Sequence, residues 1–256
     1  MRVLTWNVAG RASRQAEQAA AVVAVGADLV ALQEVTKRTL PAWLAALEAA
    51  GYAHHADTVA LAPPERRRPL GVLTAAREAL TALEPPPVPW PERVLVTAHG
   101  ELQLVNLHSP IAPAPELAKI RTHEVVAAYL GAEPHSPRVL CGDLNTPRRE
   151  HADGSVLTFA HASSGRRRPE RGERWDAAER ALVHTLRAEH GWLDAFRALH
   201  GYEHREASWT FAHDRGGWRL DHVLVHGLTP TAAAYAHEWR RNGLSDHSAL
   251  IVDLVR

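Results

Sequence analysis

The sequence predicts an α/β fold, and three observations predict it. Strand-like and helix-like stretches alternate through residues 2–51. Apolar runs further on end repeatedly in acid, amide or imidazole side chains. No fixed-period repeat and no low-complexity linker divides the 256 residues, so one domain, residues 1–256, with a sizeable core is expected.

Residues 2–7 read as a buried strand that ends on Trp6-Asn7. Residues 15–25 are rich in Ala and Val and close at Gly26, the signature of a helix with its C-terminal glycine. A second strand follows at 28–35. Thr39, Pro41 and Gly51 then bracket a helix with proline in its first turn. The middle is less regular. Residues 54–61 and 70–75 read as strands on either side of a proline- and arginine-rich loop at 63–69. Residues 94–98 and 102–107 alternate around His99-Gly100, a hairpin signal. Residues 116–130 read as a helix that stops at Gly131, followed by the strand at 138–141. Residues 148–174 carry Gly154, Gly165 and the run Arg166-Arg167-Arg168 and read as a long surface loop. Asp176 with Glu179 has the spacing of a capping box for a helix reaching His190. Strands are expected again at 207–211, 218–225, 232–238 and 248–255.

Bulk composition narrows the function classes. Acids and bases balance at 29 each, so no global basic field exists and a nucleic-acid partner needs a local basic face. Of those 29 bases only Lys37 and Lys119 are lysines; arginine makes the forked phosphate contacts that lysine does not. Cys141 is the only cysteine, which excludes an intrachain disulfide and a cysteine-cluster zinc site. No signal-peptide pattern follows Met1-Arg2, and no apolar run approaches the roughly 18 residues needed to span a bilayer. A reducing, cytoplasmic setting and a monomeric protein without a membrane segment are expected.

The polar residues that close apolar runs form a set: Asn7, Glu34, His108, Asp143 with Asn145, Asp221, and Asp246 with His247. Buried carboxylates are costly unless paired or bound to metal, so six such strand ends are hard to assign to core duty. In Gly142-Asp143-Leu144-Asn145 the acid and amide stand two apart, and a continuing strand would point both to one face. The donors are oxygen-rich and lack thiolate, which favours Mg²⁺ or Mn²⁺ over zinc. A hard cation beside histidines suits phosphoester hydrolysis.

In order along the chain, Trp6-Asn7, Gln33-Glu34, Leu107-His108, Gly142-Asp143-Leu144-Asn145, Arg219-Leu220-Asp221 and Ser245-Asp246-His247 resemble the endonuclease/exonuclease/phosphatase superfamily. The stretch Gly191-Trp192-Leu193-Asp194-Ala195-Phe196-Arg197, then Ser208-Trp209-Thr210-Phe211, is similar to the exonuclease III and abasic-site endonuclease branch. That branch carries a tyrosine motif where this chain has Asn106-Leu107-His108-Ser109-Pro110, a segment closer to deoxyribonuclease I.

The resemblance implies a four-layer α/β sandwich: two mixed sheets face to face, with helices outside. It implies a metal-dependent phosphodiesterase, and the carboxyl half implies a DNA substrate. Glu34, with Asn7, is then the expected metal ligand and Asp246 a second one. Asp143 orients or deprotonates the attacking water and Asn145 holds it. His247 contacts the phosphate with Asp221 behind it. His108 gives the phosphate a hydrogen bond or the leaving oxygen a proton. Trp209, Trp218 and Leu220 are expected to line a sugar pocket, with Arg219 and Arg148 also on the substrate side. Two alternatives stand beside this: the same site acting on a phospholipid, inositol phosphate, nucleotide or protein-linked DNA end, or a binding protein with a dead site.

Overall fold

The structure is a computed structural model that describes residues 1–63, 65, 68–132, 137–211 and 215–256. Pro64, Arg66 and Arg67 of the proline- and arginine-rich loop lie outside the described residues.

The first half runs β1 (Arg2–Asn7), α1 (Gln15–Val25), β2 (Leu29–Val35), α2 (Leu40–Ala49), β3 (His54–Asp57), β4 (Gly71–Ala76), β5 (Thr81–Leu83). It continues through β6 (Val94–His99), β7 (Leu102–His108), α3 (Ala118–Gly131) and β8 (Arg138–Asp143). A short hairpin, β9 (Arg149–Glu150) and β10 (Val156–Leu157), precedes α4 (Gly172–Arg180) and α5 (Leu186–Glu189), joined by a π-helical turn. Then come β11 (Leu193–Asp194), α6 (Ala195–His200), β12 (Trp209–Thr210) and β13 (Gly217–Trp218). The chain closes with β14 (Asp221–His226), β15 (Thr229–Ala236), α7 (His237–Arg241) and β16 (Ala249–Val255).

Two six-stranded mixed sheets result, ordered β15-β16-β1-β2-β4-β3 and β11-β14-β8-β7-β6-β5. Each has one parallel pair near its centre, β1 with β2 and β7 with β8. Parallel neighbours need a crossover, and α1 and α3 supply it. Period-2 alternation sorts the side chains into layers. Val3, Leu29, Ala31, Leu104, Val139, Cys141, Val223 and Val252 meet in one apolar cluster between the sheets. Leu4, Trp6, Val30 and Leu32 face the other way, onto Val22, Trp43 and Leu47 of α1 and α2. Leu107, Leu140 and Leu224 likewise pack outward on Val126 and Leu130 of α3. The expected four layers follow from this sorting.

Four readings of the sequence need correction. Asp176 and Glu179 do not cap a helix: α4 starts at Gly172, so both lie inside it, and Glu179 is buried. The loop after residue 147 contains the β9–β10 hairpin. Residues 54–61 are strand only to Asp57 and then form a 3₁₀ turn. Asp143 and Asn145 do not share a strand face, because β8 ends at Asp143 and Asn145 takes φ +51°. Among the described residues no helix is long and apolar enough to cross a membrane.

Candidate active site

The site lies at one end of the sandwich, where the parallel pairs finish. Alternation makes Asn7, His108, Asp143 and Asp221 the last inward-facing residues of β1, β7, β8 and the first of β14. Strand register places His108 and Asp221 directly beside Asp143, one on each neighbouring strand. Glu34 reaches the site by a different device. A bulge between Gln33 and Val35 takes Glu34 out of the ladder at φ +60°. Val35 thereby stays in the outer apolar cluster, while the Glu34 carboxylate turns to the strand ends. A non-glycine residue held in this conformation carries backbone strain.

These side chains converge. Asn7 Nδ2 donates to Asp143 Oδ2 at 3.0 Å and to Glu34 Oε1 at 3.4 Å. Its Oδ1 accepts from the Ala9 N–H at 2.9 Å, so Asn7 presents its NH₂ group to the acids and holds carboxylates together. His108 Nε2 stands 3.7 Å from Glu34 Oε1 and 3.8 Å from Asp143 Oδ2. On its other side His247 Nε2 is 3.8 Å from Asp143 Oδ2, and His247 Nδ1 is 2.8 Å from Asp221 Oδ2. Ser245 and Trp6 fix the His247 loop: Ser245 Oγ donates to Asn7 O and Trp6 Nε1 donates to His247 O.

The environment sets distinct charge states. Burial alone lowers the pKa of His247, but the Asp221 and Asp143 carboxylates outweigh it and raise the pKa to about 10. Burial raises Asp143, and although the His247 cation opposes this, neighbouring Asp221 adds to it and the pKa stands at about 7. Burial, then the Arg93 guanidinium, drives His108 well below the ordinary histidine range. Arg93 Nη1 lies 2.5 Å from His108 Nδ1 and 3.1 Å from its Nε2. A ring kept neutral beside a guanidinium stores no extra proton.

The donor set fits a hard cation. Asp221 Oδ1 is buried without a hydrogen-bond partner, and three carboxylates crowd one end of the sandwich. Asp143, Asp221 and His247 each offer a potential ligand atom, all within 4.8 Å of one another. A protonated His247 has no lone pair for a metal, so its side of the cluster suits an anion. The oxygen-rich side, Glu34 with Asp143, suits the cation. Asp246 is exposed; its charge helps raise the His247 pKa, and it lies outside the buried cluster.

The flanking residues divide. Trp209 forms a backbone bridge with His247, and its ring stacks on Trp218 at 5.1 Å with the planes 12° apart. Both are half-buried, and Phe211 packs edge-on against each. Arg148 lies over Trp218 at 5.9 Å and over Phe159 at 5.2 Å. Leu220 is buried, and its backbone binds the Leu144 N–H and Ser208 Oγ. Arg219 departs from expectation. It is 3% exposed and turned inward, forking onto Glu150 and bonding Asp194 at 2.6 Å. A buried guanidinium demands such carboxylates, and the contact leaves none of it for substrate.

Asn145 stands just past Asp143. Its N–H donates to Asp143 Oδ1 and its Nδ2 to Ser109 O, both at 2.9 Å. The Asn145 carbonyl accepts from Lys119 Nζ at 2.8 Å, and Lys119 is paired with Glu179 at 2.5 Å. Glu179 also accepts from Trp175 Nε1, Thr146 Oγ1 and the Phe159 N–H. On the opposite side His222 Nε2 donates to Thr146 O, while its Nδ1 lies 3.3 Å from Asp194 Oδ2. Sequence reasoning missed Lys119, Glu179, Arg93 and Arg68, whose Nη2 meets Glu34 Oε2 at 3.0 Å. For Lys119 a signal existed: a rare lysine in an arginine chain.

No curated protein matches the sequence significantly. Three solved structures superpose over 100% of the chain. An AP endonuclease from Archaeoglobus fulgidus does so with TM-score 0.73 and 20% identity, itself covered over 100% of its length. A 3′ phosphatase, NExo, from Neisseria, bound to product DNA hairpin, gives 0.68 and 19%, covered over 100%. A humanized D. rerio TDP2 with 14 mutations gives 0.67 and 16%, covered over 99%. At these identities they establish the fold alone. The sequence match goes further. The model of the Endonuclease/Exonuclease/phosphatase family covers residues 4–247, which takes in every strand end from Asn7 to His247 that converges here. The buried cluster of Asp143, Asp221 and His247 thus belongs to a phosphodiester hydrolase, and the chain is a member of the endonuclease/exonuclease/phosphatase family.

Proposed function

We propose that the protein is a divalent-metal-dependent DNA nuclease of the exonuclease III or abasic-endonuclease type, using Mg²⁺ or Mn²⁺. The observation that carries the DNA reading is the continuity of His247, Trp209 and Trp218, which sets an aromatic shelf directly beside the phosphate-binding imidazole. Stacked indoles at that place suit a sugar–base unit next to the reacting phosphate. The DNA hairpin held by the Neisseria relative supports the same substrate class.

The roles follow from the atoms. His247, charged and oriented by Asp221, donates from Nε2 to a phosphoryl oxygen. His108 donates a ring N–H to the same group. Asp143 has a pKa of about 7, where a carboxylate takes a proton from an attacking water at neutral pH. Asn145 has its NH₂ engaged with Ser109, so its side-chain oxygen is the atom left to hold that water. Glu34, with Asp143 beside it and Asp246 at the rim, would hold the cation, and Asn7 keeps their carboxylates in place. A bound divalent cation would polarise phosphoryl oxygens and offset their charge.

The test is a substrate panel. The protein with Mg²⁺ is given duplexes carrying an abasic site, a recessed 3′ end or a 3′ phosphate, beside a phospholipid and a nucleotide phosphodiester. Cleavage of at least one duplex, and its loss in chelator, is expected. Turnover of the small substrates alone would contradict the DNA reading and leave the family chemistry in place.

A further inference from the structure

Arg219 and Arg197 fork onto Glu150, and Arg180 pairs with Asp176. The arginines around Phe159 have no such fork. Arg148 makes no hydrogen bond or ion pair among the described residues, and its Nε is buried without a partner. Only aromatic faces support its guanidinium, Phe159 at 5.2 Å and Trp218 at 5.9 Å. Arg171 Nη1 donates to Phe159 O at 2.5 Å and meets no carboxylate among the described residues. The Arg168 N–H donates to Ala160 O at 2.8 Å; its Nε is also buried without a partner, and its one acid contact is Glu170 at 3.6 Å.

The Arg148 and Arg171 guanidiniums are therefore mounted on Phe159, and the Arg168 backbone is tied to the next residue, Ala160. Burial, then Arg168 and Arg171, lowers the Arg148 pKa against the opposing pull of Glu179. Glu179 is near but committed, since it already accepts from Lys119, Trp175, Thr146 and Phe159. In a chain of zero net charge this is a local concentration of cations, with Glu170 on Arg168 as its one ion pair among the described residues. Forked guanidiniums beside an aromatic wall match a phosphodiester oxygen pair next to a stacked base.

We propose that Arg148, Arg168 and Arg171 form a second phosphate subsite, which grips a flanking phosphodiester of the nucleic-acid strand whose scissile phosphate lies at His247. The inference rests on the nuclease reading for its ligand. The path supports it: Trp209 adjoins His247, Trp218 stacks on Trp209, and Arg148 covers Trp218. A strand following that path brings a further phosphate to the arginines, since each nucleotide carries one. A small phosphoester has nothing to place there.

The test reads binding, so it does not depend on turnover. An end-labelled DNA duplex with one abasic site is titrated in chelator across a salt series, with the natural protein and Arg148→Gln. Parallel duplexes carry one neutral methylphosphonate at each linkage in turn. The proposal expects the salt slope to fall by about one in Arg148→Gln. It also expects one flanking linkage whose neutralisation weakens binding about tenfold in the natural protein and no further in the variant. Arg168→Gln, with the melting temperature as a folding control, should lose the same linkage. Additive losses at every linkage, an unchanged slope, or no salt-dependent DNA binding would overturn the subsite. If the linkage signature appears but no duplex is cleaved in Mg²⁺, the subsite stands and the nuclease reading falls. If duplexes are cleaved without the signature, the reverse holds.

Discussion

At the scale of single residues the site works by giving similar groups different charges. His108 and His247 both face Asp143 at 3.8 Å, yet one ring is neutral and the other charged. The difference lies behind each ring: a guanidinium behind His108, a carboxylate behind His247. The His247 pKa is raised, so its folded-state contribution is complete below about pH 6.5 and is lost as pH rises through about 10. In the metal-free protein, the His247 ring protons followed by NMR should stay at imidazolium shifts across neutral pH. Asp221→Asn should bring the titration down to the ordinary histidine range or below it. An unshifted His247 in the natural protein would refute the dyad. The identities of these residues were legible, because each closes an apolar run. Their charge states were not, because Arg93 approaches His108 from outside any strand-end pattern. Arg219 misled for the same reason: adjacency to Asp221 in sequence says nothing about the carboxylates of Glu150 and Asp194 that await it.

At the scale of elements the segment from Asp143 to Pro147 is held from two sides. Helices α3 and α4 reach it through Lys119 and Glu179; β14 reaches it through His222. Asn145, at φ +51°, takes the left-handed conformation that asparagine tolerates better than most non-glycine residues, and these contacts hold it there. Lys119→Met leaves Glu179 charged and buried, and should cost about 3–5 kcal/mol in a denaturant titration. Lys119→Met with Glu179→Gln removes the unpaired charge and should recover much of that stability. If the pair also positions Asn145, the double variant should still show a lowered kcat with KM little changed. Full recovery of kcat would make the pair a stabilising feature only. The sequence misplaced this pair because Glu179, three residues after Asp176, fits a capping box. Tertiary burial against Lys119, Trp175 and Thr146 overrode the local pattern. The bulge at Glu34 was equally invisible, since strict alternation would have turned that carboxylate into the outer layer.

At the scale of the molecule the two sheets form a scaffold whose parallel pairs end together, and the chemistry collects at that end. The fold was legible because alternation and glycine-closed helices recur from β1 to β16. The two-residue strands β9 to β11 were not, being too short to show a period. The same scaffold carries the Glu150–Arg219–Asp194 ion cluster, which ties the β9–β10 hairpin to β11 and β14. Burial opposes ionisation there, but Arg219 and Arg197 hold Glu150 at about 2, and Arg219 with His222 holds Asp194 well below the carboxylate range. Depressed pKa values give stability that is present above about pH 4 and lost as pH falls through the folded-state values. Urea midpoints should therefore drop as pH is lowered from about 4 to about 2. Arg219→Met should be less stable at neutral pH and lose much of that acid dependence. A parallel, equally steep fall in the variant would contradict the assignment.

We propose that Asp143 serves the attacking water in a phosphodiester hydrolase that acts on DNA. Single-turnover cleavage of an abasic-site duplex in Mg²⁺ by the natural protein and by Asp143→Asn tests it most directly. Cleavage by the natural protein is expected, with a loss of at least about a thousandfold in the variant, the scale of removing a general base and a cradle oxygen together. A variant that melts at the same temperature and cleaves within tenfold of the natural rate would contradict it.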